Sequence, residues 1–131
     1  MKRYDEALSL YERALAIEEK ALGKENQYVA ETLGGIAILY WEKGKYDEAL
    51  SMFKRKLAIS ENVLGKEHPV VADILDSLGK RYSEIGRYSQ ALPLFRRVLD
   101  IREKVLGKGH PDVAETLNNL ARLHHEMHRA G

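Results

Sequence analysis

A 42-residue period runs through this chain and limits what it can fold into more than any other feature. Tyr4, Tyr46 and Tyr88 stand 42 residues apart. Around them read Tyr4-Asp5-Glu6-Ala7-Leu8, Tyr46-Asp47-Glu48-Ala49-Leu50 and Tyr88-Ser89-Gln90-Ala91-Leu92. The same spacing carries Leu22-Gly23-Lys24, Leu64-Gly65-Lys66 and Leu106-Gly107-Lys108, then Val29-Ala30, Val71-Ala72 and Val113-Ala114, then Leu33, Leu75 and Leu117. Matches at so many positions mark a repeat architecture, in which one supersecondary unit buries its apolar face against the next.

Each period reads as two helices. Val29, Ala30, Leu33, Ile36, Ala37 and Tyr40 follow the three-and-four spacing of one apolar helix face. Gly44, and Gly86 one period later, break that pattern where a left-handed C-cap belongs. The second helix carries Ala49, Leu50, Phe53, Leu57, Val63 and Leu64 on its stripe and closes at Gly65. The next helix opens at His68-Pro69 or His110-Pro111, and proline suits a first turn whose N–H has no partner. Asn26-Gln27 occupies that place in the first period, with Asn as a good N-cap. Glu31, Asp73 and Glu115 are expected in first turns, where they suit the helix dipole, as Lys20 and Lys104 do near helix ends. The pattern predicts six helices near 3–22, 27–43, 46–64, 69–85, 88–106 and 111–128. Ala7, Ala49 and Ala91 let paired helices approach closely, and the tyrosines read as packing residues.

Composition agrees and excludes several functions. Of the 131 residues, 44% are hydrophobic and 31% charged, as amphipathic helices require. With 21 basic against 20 acidic residues the net charge is +1, which gives no reason to expect nucleic acid or an anionic membrane as partner. The absence of cysteine removes disulfides, thiolate metal sites and Cys nucleophiles, and makes the cytoplasm the default location. Met1-Lys2-Arg3-Tyr4-Asp5-Glu6 turns acidic before a signal peptide can form, and no apolar run has the length of a bilayer span. Residues 1–131 read as a single domain, with periods near 4–45, 46–87 and 88–129.

The aromatic near the first helix end, the glycine, and Tyr-x-x-Ala-Leu together resemble the tetratricopeptide repeat over nearly the whole chain. The usual period of that family is about 34 residues, so each helix pair here is longer by roughly two turns. The string Tyr88-x-x-Ala91-Leu92-x-Leu94-Phe95-x-Arg97-x-Leu99-x-Ile101-Arg102-Glu103-Lys104-Val105-Leu106-Gly107, followed by His110-Pro111-Asp112-Val113-Ala114-x-Thr116-Leu117-Asn118-Asn119-Leu120-Ala121, is similar to the kinesin light chain type. Nephrocystin-3-like and many bacterial repeat proteins share it. The resemblance implies an all-α fold, a right-handed superhelical array of antiparallel helix pairs, and the work of a scaffold. In such families the first helix of each pair lines a concave groove that holds a partner's peptide or helix. Kinesin light chains take cargo peptides in which a tryptophan is flanked by acids.

Carried over by position, the groove residues are Gly34, Ile38 and Trp41; Asp76, Lys80 and Ser83; and Asn118, Asn119, Arg122 and His125. They lie off the apolar stripe, most of them three or four apart, so that each set faces one way. The chain departs from the kinesin light chain pattern, since Gly34-Gly35 and Asp76-Ser77 replace the Asn-Asn pair found at Asn118-Asn119. Lys80 and Arg122 supply groove bases while Ile38 stands in the equivalent place, so a preference for acidic peptides is half supported. Trp41 reads either as a stacking platform or as a packing residue.

Catalytic, cofactor and metal sites are not expected. His124 and His128 lie four apart on one helix face, but the zincin glutamate does not follow His124 and no third ligand is evident. His124 takes the place of Tyr40 and Tyr82, which points to packing, while His68 and His110 read as helix caps. The chain also starts with the second helix of a pair and ends with the first helix of another. Helix 111–128 carries Val113, Ala114, Leu117, Leu120, Ala121 and Leu123 with no following helix, and Arg129 is in phase with Arg3. The second expectation is therefore a structural repeat, natural or engineered, forming a homo-oligomer through its terminal helices.

Overall fold

The structure is a computed structural model that describes residues 2–130; Met1 and Gly131, the two ends of the expected domain, lie outside the described residues. Six helices follow in order, α1 (Lys2–Leu22), α2 (Gln27–Glu42), α3 (Tyr46–Leu64), α4 (Pro69–Glu84), α5 (Tyr88–Leu106) and α6 (Pro111–Ala130). Among the described residues there is no strand. The chain divides into two compact units, Met1–Lys66 with α1, α2 and α3, and Glu67–Gly131 with α4, α5 and α6.

Helix starts and stops follow from the sequence signals. The Asn26 side chain accepts from the Tyr28 N–H at 2.8 Å, capping α2. At α4 and α6 histidine does the same work, with Nδ1 of His68 accepting from the Val70 N–H and Nδ1 of His110 from the Asp112 N–H, both at 3.0 Å. Gly44 and Gly86 have φ of +79° and +77°, and beyond them Lys45 and Arg87 donate back to the carbonyls of Tyr40 and Tyr82. This is the Schellman closure, which a Cβ strains. Glu31, Asp73 and Glu115 fall on the fifth residue of their helices rather than in the first turn, where the acidic residue of α6 is Asp112. That places Asp73 and Glu115 one turn in, within 4.0 Å of Arg102.

In the first unit α2 packs against both α1 and α3. Val29, Ala30 and Leu33 of α2 form one buried cluster with Ile59 of α3, and Leu15 and Met52 pack against it. Ala49, Leu50, Phe53 and Leu57 of α3 are also buried. Val63, expected on that stripe, is exposed and Leu64 is only half-buried, because both lie in the last turn beside Gly65. Polar contacts tie the helices at their margins, with Thr32 donating to Glu18 at 2.6 Å and Arg55 reaching Glu19 at 3.3 Å.

In the second unit the central helix is α5, a second helix of its pair, which packs against α4 and α6. Val71, Ala72, Leu75 and Leu78 of α4 are buried with Ala91, Phe95, Val98 and Ile101 of α5. Arg102 donates to Thr116 at 2.9 Å, at the register of the Thr32–Glu18 contact of the first unit. Lys104 bridges Glu67 and Asp100 at 3.1 and 3.2 Å, and the hydrogen bond to Glu67 leads in holding its amine above the ordinary value of 10.5.

Two substitutions test this account. Leu33 is fully buried, so Leu33→Ala should destabilise by about 2–5 kcal/mol in urea unfolding. Gly86→Ala should lose about 1–2 kcal/mol to its left-handed backbone, while Gly109→Ala, with open space around it, should stay near neutral.

Candidate functional site

The second unit holds an open cleft of about 410 Å³ between α4, α5 and α6. Its wall comprises Lys80, Ser83 and Glu84 of α4, Tyr88 and Phe95 of α5, and Asn119, Arg122, Leu123 and Glu126 of α6. The floor is apolar, because Phe95 and Leu123 belong to the packed stripes of their helices and are almost fully buried. Phe95 reaches this place because residue 79 is glycine. A Cβ at Gly79 would stand 3.0 Å from the Phe95 Cζ, so the ring lies against bare backbone.

Above the floor runs a polar chain from α4 to α6. Asp76 is 7% exposed, and a buried carboxylate must be paired. Lys80 Nζ lies 3.1 Å from Asp76 Oδ2, and Asn119 Nδ2 donates to Asp76 Oδ1 at 3.4 Å. Arg122 in turn donates to the side-chain Oδ1 of Asn119. Lys80 is also 3.9 Å from Glu115. The cleft wall therefore carries two bases, Lys80 and Arg122, and two acids, Glu84 and Glu126, and its formal charges cancel.

Of the residues singled out in the sequence, Lys80, Ser83, Asn119 and Arg122 come together in this wall, with Asp76 buried behind them. Asn118 and His125 are exposed on α6 outside the wall. The others belong to the first unit. Gly34 is buried beneath the Lys56 side chain, whose Nζ would lie 3.0 Å from an added Cβ. Ile38 is exposed, and Trp41 is half-buried with its ring 4.5 Å from that of Tyr46, inclined at 54°. His124, expected to pack as Tyr82 does, is exposed, as are His125 and His128. Among the described residues no group of three or more His, Cys, Asp or Glu is placed to hold a metal ion.

Glu84, Tyr88, Phe95, Leu123 and Glu126 also line the cleft; Tyr88 and Phe95 come from α5, a second helix of its pair, while Glu84, Leu123 and Glu126 lie on first helices outside the positions the resemblance carries over. Gly79 carried the missing signal. A glycine inside a helix costs roughly 0.5–1 kcal/mol relative to alanine, so it marks a place where something approaches closely. The first unit has a close approach of its own, at Gly35. There Tyr11, 84 residues before Phe95, lies over Gly35, and a Cβ on Gly35 would meet its Cζ at 2.6 Å. Tyr4, in register with Tyr88, donates to Glu42 at 2.8 Å, and that carboxylate raises the phenol above its ordinary 10.0.

Helix pairs that double back through connections of three or four residues, repeated at a fixed period, define the all-α class of helical-repeat proteins. The chain belongs to the tetratricopeptide repeat family, whose model matches residues 1–62, 44–104 and 85–130. Among solved structures it is similar to BtubC (BKLC) from P. vanneervenii, with a TM-score of 0.82 and 25% identity over 96% of this chain and 50% of that one. It is also similar to a Podosopora anserina protein described as a kinesin light chain with nearly identical TPR-like repeats, with a TM-score of 0.75 and 27% identity. That alignment covers 95% of this chain and 59% of that protein, so the chain spans little more than half the length of these structures. No curated protein matches it significantly. Tetratricopeptide repeats of this type are a protein-interaction scaffold kind of fold, typically without enzymatic activity. Among the described residues no helix is long and apolar enough to cross a membrane.

The polar chain behind the cleft gives a direct test. Asn119→Leu removes a donor from the buried Asp76 carboxylate and should cost about 1–3 kcal/mol in urea unfolding. Removing both partners in the Asp76→Leu, Asn119→Leu double variant should recover part of that loss.

Proposed function

We propose that the chain is a protein-binding scaffold, with no catalysis of its own, that takes an apolar side chain of a partner peptide or helix into the cleft between α4, α5 and α6. The observation that carries this reading is the shape and lining of the cleft. It is open to solvent, with Phe95 and Leu123 beneath it and with Lys80, Arg122, Glu84 and Glu126 in its wall. Pockets of this kind gain affinity from the desolvated anchor and orientation from a few polar groups.

The wall also sets the class of peptide. Lys80 already faces Asp76 and Glu115, and Arg122 faces Asn119, while Glu84 and Glu126 add negative charge. An acid-rich peptide would have to displace these contacts. The partner segment we favour is apolar at its centre and close to neutral at its flanks, unlike the tryptophan-and-acid motif that the kinesin light chain resemblance implies.

A displayed peptide library selected on the protein tests this. Selected peptides should carry an apolar anchor, and their affinity should change little between about 50 and about 500 mM salt. Ser83→Trp, which fills the cleft from the middle of its wall, should weaken them at least about tenfold while circular dichroism stays unchanged. Asn118→Ala, outside the wall, should have no effect. Binding that survives Ser83→Trp, or a selection that enriches no peptide, would show the reading to be wrong.

A further inference from the structure

The repeat gives residues around the cleft counterparts elsewhere in the same chain, and at two places on α4 the smallest residue of the register stands beside the cleft. Gly79 is in register with Ala37 and Ala121. Ser83 is in register with Trp41 and His125. The two are four apart on one helix, so they share a face.

Both small residues have a visible consequence. A Cβ at Gly79 would meet Cζ, Cε1 and Cε2 of Phe95 at 3.0, 3.1 and 3.2 Å, closer than ordinary contact. The ring thus rests on bare α4 backbone and also lines the cleft, so an atom added at 79 drives it toward the cleft. The Ser83 hydroxyl donates to the Gly79 carbonyl oxygen at 3.0 Å, which folds it back along its own helix and spends its one proton there.

We propose that Gly79 and Ser83 are the specificity-determining residues of the cleft, admitting a bulky apolar anchor of leucine, methionine or phenylalanine size. This assignment rests on the reading of the cleft as a peptide-binding site, and adds which anchors enter and what sets the limit. An alanine or valine leaves a cleft of about 410 Å³ partly empty and forfeits contacts with its lining. Size decides rather than hydrogen bonding, because the polar groups of the wall are engaged with their own neighbours. Ser83 is held by Gly79, Lys80 by Asp76 and Arg122 by Asn119. One methylene more or less in an apolar pocket changes discrimination by about tenfold or more, so a methyl beneath Phe95 is enough to alter the choice.

Selection of one displayed peptide library on the parent chain, on Gly79→Ala and on Phe95→Leu tests the assignment. Peptides from the parent should carry leucine, methionine or phenylalanine at the anchor. Gly79→Ala raises the floor, so it should select valine or alanine there and bind the parent's peptides at least about tenfold more weakly. Phe95→Leu lowers the floor and should shift the choice toward larger anchors. In the Gly79→Ala, Phe95→Leu double variant, affinity for the parent's peptides should return to within about threefold, a rescue that general loss of structure would not give. Circular dichroism reports whether each variant is folded, and should Gly79→Ala fail to fold, Phe95→Leu decides by itself. A parent chain that enriches no peptide would overturn the reading of the cleft and this assignment with it. If the parent enriches anchored peptides and the folded variants choose the same anchor, the assignment alone is wrong.

Discussion

Within each unit, the apolar stripe of a helix is covered by a helix adjacent to it in sequence. The cluster of Val29, Ala30, Leu33 and Ile59 is the plainest case. A helix of 16 residues such as α2 or α4 is marginal alone in water, so its stability comes from the neighbour it packs against. Small residues at the contacts, Ala30, Ala49, Ala72 and Ala91, set how near the helices come, and all four are buried. The cleft of the second unit is a consequence. Helices α4 and α6 both rest on α5, and Phe95 with Leu123 forms the floor of the gap beside them.

Asp76 and Asn119 span that gap. A carboxylate this buried is tolerated only with donors around it, and Lys80 and Asn119 provide them from two helices. Gly34, one period before Asp76, lies against Lys56, and Gly35, two periods before Asn119, lies against Tyr11, so neither place in α2 carries a polar side chain.

The sequence was most legible where short-range chemistry decides the outcome. The helix spans, the Asn26, His68 and His110 caps, and the Gly44 and Gly86 turns all depend on neighbouring residues, and they stand where the pattern puts them. It was less legible at Val63 and His124, where periodicity names a face but not what covers it. The wall of the cleft was only partly readable for a related reason. Lys80, Ser83, Asn119 and Arg122 project from the first helices of their pairs, as the family resemblance implies. Phe95 and Tyr88 come from the second helix, and only the glycine at position 79 hints that a ring would reach so far.

The packed helix pairs within each unit, α1 with α2, α2 with α3, α4 with α5 and α5 with α6, are neighbours in sequence. Closing them needs no long loop, only connections of three or four residues with turn-forming glycines already in place. A chain built this way searches little before it finds native contacts, and low contact order goes with rapid folding. Formation can begin at any helix pair and spread along the array, so a growing polypeptide can organise each hairpin as soon as its second helix is complete.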